Sequence, residues 1–198
     1  MSFQIDPLAD VGESVEIGFG TKIWANAQIR ENVKIGKNCV IGKDTYIGAG
    51  VAMGDNCKIQ NGALIYEPAN LGAGVFIGPG VILTNDQYPR AINPDKTVKS
   101  ASDWSQVGVS ISSGASIGAG AVCVAPIVIE EWAVVGAGAV VIRDVPKFAL
   151  VVGNPAKQIG WVGKAGYRLR QVGNRLVCPK SREIYEIIDG KLEEVTSK

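Results

Sequence analysis

The sequence repeats with a period of six residues over most of its length. An aliphatic residue or methionine occupies every sixth position from residue 5 to residue 83, and a smaller residue lies two positions before most of them. The repeated positions are Ile5, Val11, Ile17, Ile23, Ile29, Ile35, Ile41, Ile47, Met53, Ile59, Ile65, Leu71, Ile77 and Leu83. This period differs from the roughly 3.6 residues of an α-helix and the roughly two of a strand, but it is typical of stacked short strands. The sequence therefore predicts an all-β fold, a parallel β-helix of hexapeptide repeats.

Three hexapeptides are expected to close one triangular coil, so that residues three hexapeptides apart in sequence stack on each other. Neighbouring strands are separated by about 4.8 Å, which sets the rise of each coil. Because side chains alternate along a strand, each large aliphatic side chain and the small one two positions before it point to the same side. Both series are therefore expected to fill the inside of the prism.

The repeat breaks after Leu83 and resumes at Ile111. The interval is not a multiple of six, so residues 84 to about 106 are predicted to protrude as a loop. The segment is polar, and a loop of this length inside a compact fold is usually functional, although a tolerated surface insertion is the alternative. We expect the β-helix to span residues 1–143, a Pro/Gly-rich connecting segment 144–166, and a small β-meander 167–198. The meander is expected to turn at Asp189-Gly190 and to cap the last coil.

Composition argues against several functional classes. The net charge of +1 gives no electrostatic basis for binding nucleic acid or an acidic membrane surface. The N-terminal residues lack the features of a signal peptide and no apolar run is long enough to span a membrane, so a cytoplasmic location is expected. Cys39 and Cys57 both fall on small inward positions, and Cys178 has no second cysteine or histidine nearby. The cysteines are therefore predicted to be reduced, and no metal site is expected.

The chain contains no histidine. This excludes the γ-class carbonic anhydrases, which share the hexapeptide β-helix but bind their metal through imidazoles. It also disfavours transfer to a hydroxyl group, because an alcohol with a pKa of about 15 needs a strong base to become a nucleophile near neutral pH. An amine needs only to be neutral. If the chain is an acyltransferase, its composition favours an amine acceptor.

Several motifs resemble the hexapeptide-repeat nucleotide-sugar N-acetyltransferases, in particular the group that acetylates the 3-amino group of UDP-2-acetamido-3-amino-2,3-dideoxyglucuronate. The matching segments are Ile23-Trp24, Lys58-Ile59-Gln60-Asn61, Tyr66, Thr84-Asn85, Pro89-Arg90-Ala91, Gly136-Ala137-Gly138, Asp144-Val145-Pro146 and Gly153-Asn154-Pro155-Ala156-Lys157. The resemblance covers about residues 5–165. It implies a left-handed β-helix, a homotrimer, and acetyl-CoA bound in the cleft between neighbouring prisms. It also implies a UDP- or dTDP-linked amino sugar as acceptor and a role in surface polysaccharide biosynthesis.

The chain departs from this group at two of the motifs. Ala25-Asn26-Ala27-Gln28 follows Ile23-Trp24, where the group has a histidine-containing stretch, and Asp86 follows Thr84-Asn85, where the group has an apolar residue. The particular sugar, the nucleotide and the aminated carbon therefore stay open.

Stacking and the resemblance together define the candidate site residues. Glu67 lies three hexapeptides before Asn85, so both are expected on neighbouring coils where the loop departs, with Gly48 and Ala49 below leaving space for Tyr66 or a ligand. We predict that Asn85 orients the amine and that Asp86 or Glu67 accepts its proton. The candidate sugar and nucleotide ligands are Gln28, Arg30, Gln60, Asn61, Tyr66 and Arg90; the candidate acetyl-CoA ligands are Gly118, Ala119, Gly136, Ala137, Arg143, Asn154 and Lys157. Ordinary solvated corner residues, structural glycines and, for the whole chain, a non-catalytic scaffold subunit are the alternatives.

Overall fold

A computed structural model describes residues 2–195, and its regular secondary structure consists of β-strands. Before the loop the strands are β1 (Gln4–Ile5), β2 (Asp10–Val11), β3 (Glu16–Ile17), β4 (Lys22–Ile23), β5 (Gln28–Ile29), β6 (Lys34–Ile35), β7 (Val40–Ile41), β8 (Tyr46–Ile47), β9 (Ala52–Met53), β10 (Lys58–Ile59), β11 (Leu64–Ile65), β12 (Asn70–Leu71), β13 (Phe76–Ile77) and β14 (Ile82–Leu83). After the loop they are β15 (Val109–Ile111), β16 (Ser116–Ile117), β17 (Val122–Cys123), β18 (Ile127–Ile129), β19 (Val134–Val135), β20 (Val140–Val141), β21 (Ala149–Val152), β22 (Lys157–Trp161), β23 (Arg170–Val172), β24 (Arg175–Val177), β25 (Ile184–Ile188) and β26 (Lys191–Val195). No helix in residues 2–195 is long and apolar enough to cross a membrane.

The first twenty strands form the three sides of a prism. Every third strand joins the same parallel sheet, which gives sheet A (β1, β4, β7, β10, β13, β16, β19), sheet B (β2, β5, β8, β11, β14, β17, β20) and sheet C (β3, β6, β9, β12, β15, β18). Sheet A is extended by β21, which is parallel to β19, and by β22, which is antiparallel to β21. The register pairs Ile5 with Ile23 and Ile29 with Ile47, so each regular coil takes three hexapeptides. This confirms the predicted parallel β-helix and its triangular coil. The left-handed sense of the coil stays a prediction that rests on the resemblance.

The core of the prism consists of the two predicted inward series. Ile41, Ile59 and Ile77 are completely buried, as are the small residues Cys39 and Cys57. Two threonines at small inward positions also satisfy their hydroxyls: the Thr21 hydroxyl donates to the Gly36 carbonyl at 2.8 Å, and the Thr45 hydroxyl donates to the Gly42 carbonyl at 2.8 Å. Buried hydroxyls without partners would destabilise the fold, so these bonds explain why threonine can replace alanine or valine inside the prism.

The loop and the end of the prism differ slightly from the sequence-based expectation. The loop runs from Thr84 to Gly108, and the coil then resumes in register because Leu71 pairs with Ile111. At the other end, stacking continues past residue 143. Val145 forms a parallel bridge with Ile129, and Val151 pairs with Val135. The connecting segment therefore contributes part of another coil, although its spacing no longer follows the six-residue period. The division of the chain at residues 143 and 166 stays a prediction.

The C-terminal strands β23–β26 form a four-stranded antiparallel meander. Ile188 pairs with Lys191, and the two turn residues Asp189 and Gly190 both have positive φ, as two-residue hairpin turns require. A second hydrophobic cluster joins the meander to the last coil: the rings of Phe148 and Tyr185 lie 5.2 Å apart in an edge-to-face arrangement. The meander thus packs against Phe148 beside the last coil, and its role as a cap stays a prediction. Residues 196–198, which were assigned to the same meander, lie outside the described residues.

Replacing Ile65 by alanine should destabilise the prism strongly. Ile65 is fully buried between Ile47 and Leu83 in sheet B, so the substitution removes apolar burial and leaves a cavity. We expect the free energy of unfolding to fall by about 2–5 kcal/mol. The matched control Lys58→Ala, at an outward position of sheet A, should change it by less than about 0.5 kcal/mol. Chemical denaturation at one protein concentration measures both, and equal losses in the two variants would contradict this account of the core.

Candidate functional site

The central part of the candidate site lies at the edge that follows sheet B. Leu64 and Ile65 pair with Ile82 and Leu83, and the Tyr66 N–H donates to the Leu83 carbonyl at 3.3 Å. The next residues on the two coils, Glu67 and Asn85, therefore follow each other along this edge, as the stacking predicted. The Thr84 hydroxyl accepts a hydrogen bond from the Ala125 N–H at 3.0 Å on the coil above, which fixes the start of the loop.

Glu67 is the most unusual polar residue at this edge. The residue is half-buried, and its Oε2 atom is completely buried and has no hydrogen-bond partner among the described residues. This oxygen lies over Gly48, where a Cβ atom would overlap it. The space expected above Gly48 for Tyr66 or a ligand is thus filled by the Glu67 carboxylate itself. A buried acceptor without a donor costs on the order of 1–3 kcal/mol, and more when charged, so this oxygen is suited to a donor supplied by a bound molecule.

Two tyrosines pack together at the end of sheet B, one of them the residue before Glu67. The Tyr66 ring centroid is 5.1 Å from that of Tyr46, with an angle of 46° between the rings. Arg30, one coil below Gly48, forms an exposed ion pair with Glu31, with 2.9 Å between Arg30 Nε and Glu31 Oε2. Glu31, and then the Tyr46 hydroxyl, raise the pKa of the Arg30 guanidinium above its usual value. Tyr46 thus lies beside Tyr66 and contributes to the raised pKa of Arg30, and both of these residues are predicted substrate ligands.

Tyr46 was not among the predicted site residues. It lies on the outer face of sheet B, one coil after Gln28, and the coil below it presents polar side chains at the same position. An outward aromatic residue on sheet B, where the two coils before it present Asp10 and Gln28, is the signal that could have identified it. The motif-based reasoning passed over it because it belongs to none of the matching segments.

Asn85 and Asp86 begin the loop, and each has a contact within it. The Asn85 carbonyl accepts a hydrogen bond from the Val107 N–H at 3.2 Å, which closes the base of the loop. Asp86 Oδ1 accepts one from the Tyr88 N–H at 2.8 Å. Asp86 also lines a pocket of about 440 Å³ whose other walls come from the same loop. The Asp86 carboxylate therefore has a role in loop geometry, whereas Glu67 Oε2 has no hydrogen-bond partner in residues 2–195.

The other predicted substrate ligands are distributed more widely than expected. Gln28 lies on the outer face of sheet B and donates through Nε2 to Asp10 Oδ2 at 3.1 Å. Gln60 and Asn61 follow β10 and therefore lie at a different edge, the one after sheet A. Asn61 Oδ1 accepts from the Lys43 N–H at 3.0 Å, so this amide stabilises the corner. Arg90 lies in the loop, where it donates to the neighbouring Pro89 carbonyl.

The predicted acetyl-CoA ligands are also divided between two edges. Gly118 and Ala119 follow β16, Gly136 and Ala137 follow β19, and Asn154 follows β21, so all five lie at the edge after sheet A, near the exposed Lys157. A Cβ on Gly118 would overlap the backbone at Gly136–Ala137, and one on Gly136 would come within 2.7 Å of Val152 Cγ1. These two glycines are therefore required by the close approach of successive coils. Arg143 instead follows β20 and stacks above Ala125, at the edge that carries Asn85.

Three of the cysteines are closed off from solvent inside the prism. Cys39, Cys57 and Cys123 point into the prism, and burial raises the pKa of the Cys123 thiol to about 12, which opposes formation of a thiolate. In residues 2–195 no group of three or more His, Cys, Asp or Glu side chains is arranged to hold a metal ion.

Comparison with known families agrees with this architecture. The profile described as "Hexapeptide repeat of succinyl-transferase" matches residues 32–67 and 105–143, and the profile described as "Bacterial transferase hexapeptide (six repeats)" matches residues 14–49. Most of the loop, residues 84–104, lies between the two matched ranges of the first profile. The chain thus contains hexapeptide-repeat domains of the kind found in bacterial transferases.

One characterised relative is similar in sequence over part of the chain. It is the dTDP-3-amino-3,6-dideoxy-alpha-D-galactopyranose 3-N-acetyltransferase of Aneurinibacillus thermoaerophilus, 42% identical over 85 residues, which are 43% of this chain and 44% of the enzyme. The match therefore spans less than half the length of that enzyme.

Solved structures of low sequence identity share the fold. A hexapeptide transferase family protein from Anaplasma phagocytophilum superposes with a TM-score of 0.56 at 21% identity, covering 83% of this chain and 86% of that one. The acetyltransferase domain of PglB from Neisseria gonorrhoeae FA1090, whose structure is also known in complex with acetyl coenzyme A, gives a TM-score of 0.53 at 24% identity, covering 78% of this chain and 56% of that one. These likenesses establish the hexapeptide β-helix as the fold.

Proposed function

We propose that this protein is an acetyl-CoA-dependent N-acetyltransferase that acts on the amino group of a UDP- or dTDP-linked amino sugar used in surface polysaccharide biosynthesis. The observation that carries the proposal is the Glu67 carboxylate at the edge that also carries Asn85: its buried oxygen has no hydrogen-bond donor among residues 2–195. The 42% identity to a dTDP-amino-sugar N-acetyltransferase and the absence of histidine support an amine acceptor.

In the proposed reaction the neutral sugar amine attacks the carbonyl carbon of the acetyl-CoA thioester. Asn85 orients the amine, and Glu67 accepts a proton from it. The carbon–sulfur bond then breaks and the CoA thiolate leaves, to be protonated to the thiol. Asp86 is the second candidate base, less suited because its carboxylate accepts from the Tyr88 N–H. Holding the two substrates together supplies much of the rate enhancement, since a neutral amine is already a competent nucleophile.

We assign acetyl-CoA to the edge after sheet A. Its glycines and alanines leave the backbone accessible to an extended pantetheine arm, and Lys157 is exposed near Asn154, where it could bind a phosphate group. Arg143 lies at the edge after sheet B. It can bind a phosphate group of acetyl-CoA only if the cofactor held at the sheet A edge of one chain reaches the sheet B edge of a neighbouring chain. Gln60 and Asn61 share the edge proposed for acetyl-CoA, which makes them less suited to the sugar.

We further propose a homotrimer located in the cytoplasm. The outer face of sheet B becomes apolar in its upper coils, where Leu64, Ile82, Val122 and Val140 point outward, and Ile142 beside them is exposed. Such a face favours association, because burying it in a subunit interface removes apolar surface from water.

Transfer to an amine should far exceed transfer to the matching alcohol. Purified protein, acetyl-CoA and pairs of nucleotide sugars that differ only by an amino or hydroxyl group should release CoA thiol at least 100 times faster with the amine, since no histidine is available to activate a hydroxyl. Thiol release is measured colorimetrically. Comparable rates on both acceptors would contradict the amine assignment.

No release with any sugar, together with no thermal stabilisation by millimolar CoA, would instead support a scaffold subunit, since a ligand at 100 times its Kd stabilises by about 2.7 kcal/mol.

Asn85→Ala should lower kcat/KM for the amino sugar by about one to three orders of magnitude, as expected for the loss of a positioning contact of about 2–4 kcal/mol. The affinity for CoA should stay the same. Asn70→Ala, an exposed asparagine on sheet C, is the matched control and should retain activity. Asp86→Asn keeps an acceptor for the Tyr88 N–H and removes only the charge, so it tests Asp86 as a base without opening the loop. Wild-type rates in both Asn85→Ala and Asp86→Asn would leave Glu67 or the substrate itself as the proton acceptor.

Light scattering should report a mass three times that of one chain at micromolar concentration. Ile142→Glu, which places a charge beside the apolar face of sheet B, should shift the protein toward the monomer, whereas Val128→Glu at an exposed position of sheet C should not. A wild-type monomer would rule out a site formed between chains.

A further inference from the structure

The inner face of the C-terminal meander is only partly covered by the prism. Gln171, Leu176 and Tyr185 lie opposite one another on β23, β24 and β25, so their side chains share one face of the sheet. Ile187 is two residues after Tyr185 and therefore belongs to the same face. Tyr185 is completely buried in the second hydrophobic cluster, whereas Ile187 is 56% exposed. The face thus extends past the point where the prism supports it.

Trp161 and this uncovered part of the face line a groove of about 600 Å³. Trp161 is the last residue of β22, and it packs against both hydrophobic clusters while it stays partly exposed. The groove is large enough for a small molecule, since binding sites for such ligands have volumes of about 300–1,000 Å³. None of the described residues that line it belongs to the site proposed for acetyl transfer. The groove is therefore a second candidate binding site.

The groove has polar groups but no free charge among the described residues that line it. Arg175 and Glu186 are the only ionisable side chains in that set, and they pair with each other, with 2.7 Å between Arg175 Nε and Glu186 Oε1. Gln171 and Asn174 supply amide groups, which both donate and accept hydrogen bonds. A phosphate or carboxylate would find no free cation here, and an ammonium group would find no free anion. The lining is therefore complementary to an uncharged polar ligand.

A saccharide ring combines the two properties that this lining matches. Its C–H groups form an apolar face that packs on an aromatic ring, and its hydroxyl groups both donate and accept hydrogen bonds, as amide groups also do. We propose that the groove binds an uncharged saccharide of one or two rings, with Trp161 as the apolar platform and Gln171 and Asn174 as partners for its hydroxyl groups. This inference is independent of the proposed acetyl transfer, because it uses other residues and a different ligand.

Nuclear magnetic resonance can follow the groove through Trp161 itself. The four tryptophans give four indole N–H signals, and the one that disappears in Trp161→Phe belongs to Trp161. Glucose, galactose, maltose and lactose are titrated as neutral probes, with glucuronic acid and galacturonic acid as the acidic counterparts of the first two. We expect at least one neutral sugar to shift the Trp161 signal in a saturable manner, with a Kd of about 10 mM or lower. The acidic sugars should bind at least fivefold more weakly than their neutral counterparts.

Amide and charge variants test the assigned roles. Asn174→Ala and Gln171→Ala, both at exposed positions, should each raise the Kd for the neutral sugar at least threefold. Glu186→Gln removes the partner of Arg175, so it should tighten the binding of glucuronic acid at least threefold, a change that a purely structural role would not produce. The matched control is Asn70→Ala, an exposed asparagine on sheet C, which should keep the wild-type Kd. The other indole signals report whether each variant is folded.

Three results would overturn the saccharide site. The first is the absence of any saturable shift of the Trp161 signal with the four neutral sugars. The second is an unchanged Kd in both Asn174→Ala and Gln171→Ala. The third is binding of glucuronic acid or dTDP at least as tight as that of the best neutral sugar, because the groove would then have to neutralise an anion. Release of CoA thiol with an amino sugar is measured in parallel, and its outcome affects the proposed transferase alone.

Discussion

The hydrogen-bond ladder between successive coils determines where every side chain of the prism lies. Each strand donates and accepts along its length to the strands one full coil away, as in the pairs of Ile23 with Ile41 and Ile47 with Ile65. A slip of one residue would turn the aliphatic side chains outward, so the register has no near alternative. The register of the strands also sets the order of the residues along each edge of the prism. A corner residue has its neighbours set by the sequence positions one coil before and one coil after it, which is how Glu67 comes to lie over Gly48.

The six-residue period predicted the strands, the interior and the base of the loop, because all three follow from backbone pairing. It did not predict that Val145 and Val151 extend the stack, since their spacing leaves the period while their burial continues. Nor could it predict the Glu67 carboxylate above Gly48 or the Asp86 carboxylate turned to the Tyr88 N–H. Those positions depend on side-chain torsions, about which the period contains no information.

The division of the candidate site between two edges was, in contrast, available from the sequence. Gln60 and Glu67 fall in successive hexapeptides, and the same stacking that joined Glu67 to Asn85 separates them from Gln60. The predicted substrate ligands were grouped by the motifs they belong to, and not by which residues stack on one another along an edge. Of the two sources, stacking gives the position of a residue and resemblance gives its role. Any role given to Gln60 and Asn61 must therefore be one that residues at the edge after sheet A can perform.

This separation also bears on how two substrates could meet. In one chain the proposed acetyl-CoA edge and the edge with Glu67 and Asn85 are one hexapeptide apart, at most roughly 20 Å at about 3.3 Å per residue. Across that distance lies the outer face of sheet B, which in the upper coils is lined by Leu64, Ile82 and Val122. An apolar face is a poor path for a charged nucleotide sugar but a favourable one for a protein interface. If a second copy covers this face, an edge from each chain can enclose the cleft, and the thioester from one edge can reach the amine at the other. The proposed trimer and the divided site therefore form one hypothesis. The trimer brings the two edges together, and the division of the site gives a reason for the chains to associate.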